Sequence, residues 1–318
     1  MEGKVVAICV SAEKGQPKLA VAQSTLVANH GLDGDAHAGP WHRQVSVLGH
    51  ADVEAFKSRG LATLAPGAFG ENLLLDGVDL SALGVGSELR LGRDVVLQVT
   101  QLGKTCHDRC AIYHQVGDCI MPRLGLFARV RAGGRLSVAD TVQVERLVPR
   151  AAIVAVVITL SDRCSRGEAE DTAGPAVAQL LERELGAHIY KAELLPDDKA
   201  ALVARLRHYA AGHSIDLVLA VGGTGFAPRD VTPEAVREVA LRLTPGLDEA
   251  MRRASAEVTP HAWLSRAVSG IREQTLIVSL PGSRRAATEN LQAILGVLPH
   301  GLAKLRGDLA PCASHDAP

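Results

Sequence analysis

The chain has 318 residues, 47% of them hydrophobic and 22% charged, a profile that predicts a folded core rather than disorder and, at ordinary domain size, two domains. Lys and Arg number 34 against 35 Asp and Glu, so no cationic excess drives sequence-independent nucleic-acid binding, and aromatic residues at 3% leave few platforms for base stacking. The first apolar run, Val5 to Val10, meets Glu13 and Lys14 too soon for a signal core or a membrane span. The expectation is a soluble cytoplasmic protein, in which Cys9, Cys106, Cys110, Cys119, Cys164 and Cys312 read as thiols, ligands or nucleophiles rather than a disulfide framework.

In chain order, the first half reads as short strands separated by glycines: Val5–Val10, Gln44–Leu48, Asn72–Leu75, Glu88–Leu91, Val95–Gln101 and Thr141–Val144, with one helix at Ala51–Ser58. Many short strands with glycine turns predict a mostly β unit, a barrel or a sandwich. The segment Glu145–Arg150 carries Pro149 and flanking charge and reads as a linker. Strands then alternate with helices. Ile153–Leu160, His188–Leu195, Asp216–Val221 and Thr275–Leu280 are apolar strand patterns, interleaved with helical spacing at Gly174–Leu185, Lys199–Ala211, after Thr232, after Pro245 and at Ser283–Leu298. Thr232 followed by Pro233 predicts a helix capped by Thr232. The pattern predicts a parallel sheet with helices on both faces.

The most informative stretch runs from Leu217 to Glu234. An apolar strand enters Gly222, Gly223, Thr224 and Gly225, whose backbone N–H groups and threonine hydroxyl suit a phosphate. This is not a Walker loop, because no Gly-Lys-Ser/Thr follows, nor a full GxGxxG, because Pro228 stands where the third glycine belongs. A plain glycine turn at a strand end is the alternative reading. Asp230 lies just ahead of a helix, Asp197 and Asp198 follow the second strand, and Ser161-Asp162-Arg163 follows the first. In a parallel sheet these strand ends share one edge, where α/β folds take their ligands. Carboxylates facing a phosphate loop imply a divalent cation between them, hence Mg²⁺ and a nucleotide, although each aspartate alone also fits a helix cap.

In the first half, Gly34-Asp-Ala-His37 and Trp41-His42-Arg43 form a glycine-punctuated loop, and the strand ending at Gln101 leads into Leu102-Gly-Lys104-Thr-Cys106-His107. A P-loop is excluded there, since Gln98 occupies the first glycine position. Lys104 and His107 are neighbours able to stabilise a Cys106 thiolate, which favours a nucleophile, a sulfur carrier or a soft-metal ligand. Zinc on Cys106, His107 and Cys110 lacks a second Cys/His pair; Cys110 and Cys119 also fit as small buried fillers. His37 and His42 serve either as ligand contacts or as loop hydrogen bonders.

Two resemblances follow from these residues. Thr159-Leu-Ser-Asp-Arg163, Asp171-Thr-Ala-Gly-Pro175, Leu195-Pro-Asp197, Gly222-Gly-Thr-Gly225 with Arg229-Asp-Val-Thr-Pro-Glu234, Pro245-Gly-Leu-Asp-Glu249, Leu264-Ser-Arg266 and Ser279-Leu-Pro-Gly-Ser283 occur in the order seen in Mog/MoaB-type molybdopterin adenylyltransferases. The resemblance spans about residues 151–310 and implies a homotrimeric enzyme that moves AMP from ATP to the terminal phosphate of molybdopterin, releasing pyrophosphate. It implies Asp197 and Asp230 as Mg²⁺-positioning catalytic residues. It further implies that Gly222 to Gly225 hold phosphate with Arg229 as an extra cation, and that Ser161, Asp162, Ser265, Pro281, Gly282 and Ser283 line the nucleotide and pterin pocket. A helix-entry arginine is the plain alternative for Arg229.

Gly34-Asp-Ala-His37, Trp41-His-Arg-Gln-Val-Ser46, Gly70-Glu-Asn-Leu73, Thr100-Gln-Leu-Gly-Lys-Thr-Cys106, Val116-Gly-Asp-Cys-Ile-Met-Pro122 and Gly133-Gly134 resemble the MOSC domain, the β-rich module related to the C-terminal part of molybdenum cofactor sulfurases. That implies Cys106 as a persulfide carrier or cofactor contact, with His37, His42, Arg43 and Lys104 binding the molybdenum cofactor. Expected boundaries are 1–147 for a MOSC-type β-barrel and 152–312 for a three-layer α/β domain with a mostly parallel sheet. Expected partners are molybdopterin, ATP and molybdenum insertion or molybdoenzyme maturation proteins, without nucleic acid or membrane; the rival reading is a cofactor-binding carrier or scaffold without turnover.

Overall fold

The computed structural model describes residues 2–58, 64–103, 113, 118–212 and 214–309. Lys104, Cys106, His107, Cys110 and Cys312 lie outside the described residues. The chain divides into two compact units, Met1–Ala152 and Ile153–Pro318.

In the first unit, strands β1 (Glu2–Val10), β2 (Leu19–Val21), β3 (Gln23–Val27), β4 (Gly31–Leu32), β5 (Val45–Gly49), β6 (Leu73–Asp76), β7 (Glu88–Leu91), β8 (Val95–Leu102), β9 (Leu126–Ala132), β10 (Gly134–Ser137) and β11 (Thr141–Arg146) are accompanied, among the described residues, by a two-turn helix, α1 (His50–Lys57), and a one-turn helix, Met121–Leu124. The large sheet runs β11-β7-β8-β9-β5-β6-β1-β2, and β1 pairs back onto β11, closing a barrel. Closure leaves no edge in the ring to be paired by another chain. Alternation fills the interior: Val45 and Val47, Leu73 and Leu75, Leu89 and Leu91, and Val95, Leu97 and Val99 all enter one core. A register shift between Val5 and Ala7 lets β1 serve two cores: Val5 and Ile8 enter the barrel, while Ala7 and Cys9 join Val53, Phe56 and Phe69 outside it. Burial there pushes the Cys9 thiol up to about 12, with Glu71 adding to the rise, so this cysteine is an unreactive core residue at neutral pH.

The second unit holds β12 (Val154–Leu160), β13 (His188–Leu195), β14 (Leu217–Val221), β15 (Arg242–Leu243), β16 (Ser269–Arg272) and β17 (Thr275–Leu280), in the order β13-β12-β14-β17-β16-β15. The first four strands are parallel; β16 and β15 continue antiparallel. Its helices are α2 (Ala173–Leu185), α3 (Lys199–Ala210), α4 (Thr232–Val239), α5 (Pro245–Ala256), α6 (Arg284–Ile294) and α7 (Leu298–Leu305). Strands β12, β14 and β17 are buried along their whole length. Alternate residues Ala155, Val157, Leu217, Leu219, Leu276 and Val278 meet α2, α5, α6 and α7 in one core.

The predicted helix at Thr232 forms, but Val231 is its cap residue and makes no side-chain cap bond. The Thr232 hydroxyl instead donates to the Gly222 carbonyl at 2.7 Å. That buried carbonyl would otherwise lack a donor, which outweighs the gain from capping a helix end.

The far end of the sheet is fastened by Arg306, just after α7. Its guanidinium donates to both oxygens of the buried Asp216 at 2.6 and 2.5 Å, while Asp216 also accepts from Val154 N at 2.7 Å. Arg306→Ala leaves this carboxylate short of two charged donors and is expected to destabilise the second unit by about 2–3 kcal/mol. Chemical denaturation followed by circular dichroism reads that loss. Among the described residues no helix is long and apolar enough to cross a membrane.

Candidate functional site

The C-terminal ends of the four parallel strands sit side by side on one edge, in the order β13, β12, β14, β17. Three of the predicted groups meet there directly. Asp162 N donates to Asp197 Oδ2 at 2.9 Å and Asp197 N returns the bond to Asp162 Oδ1 at 3.1 Å. Arg229 grips the same Asp162 carboxylate in bidentate fashion, from Nε at 2.9 Å and Nη2 at 2.7 Å. The guanidinium beside it holds the Asp162 carboxyl below the usual carboxylate range. Ser161 caps a one-turn helix, Asp162–Ser165, by accepting from Cys164 N, and Asp198 caps α3 by accepting from Ala201 N at 2.7 Å. Asp197 is thereby left with Oδ1 outside any hydrogen bond among the described residues.

The loop after β14 is shaped by its glycines. Gly222 has φ +111°, and a Cβ there would lie 2.4 Å from Leu160 O; Gly223 has φ +63°. Both conformations favour glycine. A Cβ on Gly223 would stand 3.5 Å from Asp197 Oδ1, one on Gly225 2.8 Å from Asp230 Oδ2, and one on Gly282 3.3 Å from Gly222 Cα. The loop thus abuts Asp197, Asp230 and the Pro281-Gly282 turn. Gly222 N is bonded to Leu280 O at 2.9 Å, but among the described residues the N–H groups of Gly223, Thr224, Gly225 and Phe226 find no acceptor. Four successive N–H groups without a protein acceptor are available to a ligand or to water.

Asp230 folds back on its own loop, Oδ2 accepting from Ala227 N at 2.8 Å, and its Oδ1 has no partner among the described residues. The loop borders an open cavity of about 540 Å³ lined by Lys199, Phe226, Asp230, Glu234 and Arg266. Ser265 Oγ accepts from Ala267 N at 3.3 Å, and Ser283 caps α6 through Ala286 N at 3.3 Å. Among the described residues no three acidic, histidine or cysteine side chains gather as a metal cage. Asp197 Oδ1 and Asp230 Oδ1 are hard carboxylate oxygens, the donor type that Mg²⁺ takes one or two at a time beside substrate phosphates and waters.

Arg266 is the site residue that individual reading of the sequence passed over. Its nitrogens bond Gly225 O, Asp230 O and Glu234 Oε1, all more than 30 positions away. The motif Leu264-Ser-Arg266 includes the residue, but nothing local to it shows these three distant partners.

In the first unit, His42 Nε2 and Arg43 Nε both face Gln101 Oε1, at 3.0 and 2.7 Å, and Gln101 Nε2 donates to Gly103 O at 2.8 Å. The two predicted residues therefore hold the strand end that leads into Lys104 and Cys106. The Arg43 guanidinium also lies 5.4 Å from the Phe127 ring centre. His37 belongs to a second group: its Nδ1 is 3.4 Å from Lys18 Nζ and its backbone N donates to Asp35 Oδ1 at 2.9 Å. Lys18 and Asp35 form an ion pair that is almost wholly buried, and Asn72 Nδ2 adds a bond to Asp35 Oδ2 at 3.0 Å. Burial pushes the Asp35 carboxyl up, but hydrogen bonds from His37 and Lys18 more than offset it and hold it well below the usual range.

A mostly parallel sheet with a glycine loop and carboxylates at its carboxyl edge defines an α/β protein, and that edge is where open α/β sheets take their ligands. Residues 156–300 match the family model described as a probable molybdopterin binding domain, and residues 33–143 match the MOSC domain. The chain is 37% identical over 145 residues to a molybdopterin adenylyltransferase of Helicobacter pylori, covering 45% of this chain and 82% of that one. It is 40% identical over 158 residues to gephyrin of Dictyostelium discoideum, covering 46% of this chain but only 21% of that protein. A solved structure of the molybdopterin biosynthesis enzyme MoaB from Thermus thermophilus aligns with 44% identity and a TM-score of 0.47, over 49% of this chain and 98% of that one. The chain belongs to the molybdopterin adenylyltransferase family of molybdenum cofactor biosynthesis, with a MOSC domain ahead of the family domain. It spans less than a third of the length of the gephyrin it matches.

Proposed function

We propose that the second unit, a three-layer α/β domain, transfers AMP from ATP to molybdopterin. The observation that carries this is the run of unpartnered N–H groups from Gly223 to Phe226, bordered by a free carboxylate oxygen on each of Asp197 and Asp230 among the described residues. The loop N–H groups cradle the triphosphate, while Asp197 and Asp230 hold Mg²⁺, which neutralises phosphate charge when bound. Arg229, displaced from Asp162 towards the ligand, adds a bidentate donor; Ser161, Ser265 and Ser283 border the nucleotide and pterin. A terminal phosphate oxygen of molybdopterin attacks the α-phosphorus of ATP; the new phosphoanhydride bond forms as the bond to the β-phosphate breaks, and pyrophosphate leaves. No protein nucleophile is required, so alignment and charge compensation carry the rate. Purified protein given molybdopterin, ATP and MgCl₂ should yield one pyrophosphate per adenylylated pterin. Binding of the pterin with no pyrophosphate released would favour a carrier without turnover.

The first unit, in this reading, binds the molybdenum cofactor through His37, His42, Arg43 and Lys104, with Cys106 as sulfur carrier or cofactor contact. After exposure to a sulfur donor, intact-mass measurement should show one added sulfur atom in the wild type and none in Cys106→Ser. The same adduct in both proteins excludes Cys106 as the carrier. A cytoplasmic, homotrimeric protein serving molybdenum insertion or molybdoenzyme maturation completes the reading.

A further inference from the structure

Asp230 stands near the end of the loop, two residues ahead of α4, yet the proposed chemistry needs its free oxygen held in one place. Its side chain is held at Oδ2 by Ala227 N and its backbone N donates to Ala227 O at 2.9 Å, both within the loop; what ties this turn to the rest of the fold is Arg266. Arg266 N donates to Thr224 O at 2.9 Å, Nε to Gly225 O at 2.7 Å, Nη2 to Asp230 O at 2.5 Å and Nη1 to Glu234 Oε1 at 2.5 Å. These four acceptors mark the start of the loop, its end and the first turn of α4. Burial raises Glu234, but the Arg266 hydrogen bond and charge outweigh it and keep the carboxylate ionised.

We propose that Arg266 is a positioning residue: its planar fork ties both ends of the loop and the first turn of α4 together, so that Asp230 presents Oδ1 at the sheet edge beside the glycine N–H groups. This rests on the reading of Asp230 as a carboxylate of the nucleotide site. Three of the five guanidinium N–H groups are committed to protein acceptors, two of them backbone carbonyls. That commitment distinguishes Arg266 from Arg229, whose guanidinium grips the partly exposed, exchangeable Asp162 carboxylate. Backbone carbonyls cannot be swapped for a ligand without opening the loop. The fork geometry is also what a lysine cannot reproduce, because one ammonium does not bridge three acceptors held at fixed separations.

The test uses the full chain and reads metal binding apart from turnover. Mn²⁺, in the presence of ATP, is titrated against wild type, Arg266→Ala and Arg266→Lys, with bound ion measured by electron paramagnetic resonance. Both variants are expected to bind Mn²⁺ about 10–100-fold more weakly, as for other groups that orient a metal ligand from behind. In turnover the loss should fall on kcat and on the Mg²⁺ requirement, with the KM for ATP little changed. Added guanidinium should restore part of the Mn²⁺ affinity in Arg266→Ala, which has room for it, and not in Arg266→Lys. A general loss of folding would lower amplitude in every assay and would not respond to guanidinium. Arg266→Lys that folds and binds Mn²⁺ as the wild type does overturns the assignment. Wild-type protein that binds no Mn²⁺ with ATP overturns the nucleotide-site reading itself, a separate result visible before any variant is made.

Discussion

Asp230→Asn is expected to lower AMP transfer by about a hundred- to a thousand-fold while leaving the fold intact. Asparagine keeps the shape of the side chain and can still accept from Ala227 N through its amide oxygen, so the loop bond at 2.8 Å survives. What disappears is the negative charge beside the phosphate loop. Because the loop N–H groups of Gly223 to Phe226 are untouched, the KM for ATP should move much less than kcat, the pattern of an interaction that strengthens in the transition state. Steady-state pyrophosphate release across a range of MgCl₂ concentrations separates the two. Asp197→Asn, which can retain the bond from Asp162 N, should behave alike. Undiminished turnover in either variant removes that aspartate from the mechanism.

Lys18→Met is expected to be the most damaging single change to the first unit, costing about 3–5 kcal/mol, because it leaves the Asp35 carboxylate buried without its counter-ion. The side chains are 2% and 0% exposed, so water cannot take over the role of the lysine. Lys18→Met combined with Asp35→Leu removes both charges and should recover part of the loss, whereas a purely steric effect of the introduced methionine would persist in the double variant. Denaturant titration of the four proteins closes the cycle. The pH dependence has a definite sign. Asp35 has its carboxyl lowered in the folded state, so its contribution is fully present above the unfolded carboxylate range near pH 4. Stability of the first unit should therefore be lost as pH falls below about 4, and Asp35→Asn should flatten that limb.

Much of the second unit was legible because its signals are local. Apolar runs such as Val154–Leu160 and Leu217–Val221 are buried on both faces and read directly as central strands. The edge strands were not. Arg242–Leu243 is two residues long and exposed, and Ser269–Arg272 has no alternating pattern to betray it. In the barrel, Leu126–Ala132 was missed because Arg129 and Arg131 interrupt an otherwise apolar run, although both occupy the outward positions of an alternating strand.

The candidate site followed the same rule. Asp162, Asp197, the glycine loop and Arg229 were visible as strand-end motifs, and parallel order brings strand ends to one edge. The roles of Arg266, which stands in the Leu264-Ser-Arg266 motif, and of Lys18 were not, because each acts through partners that only the tertiary fold supplies: Arg266 through Asp230 and Glu234, Lys18 through Asp35 and His37. Thr232 shows the converse. A residue typed as a cap was recruited by the stronger need of a buried carbonyl.

In the proposed function the carboxyl edge of the second unit transfers a nucleotidyl group to the pterin. ATP labelled on the α-phosphate, incubated with the protein, molybdopterin and MgCl₂, tests it most directly. The label is expected in the pterin adduct, with unlabelled pyrophosphate released in equal amount. Label recovered in ADP or free AMP, with the pterin unmodified, would contradict it.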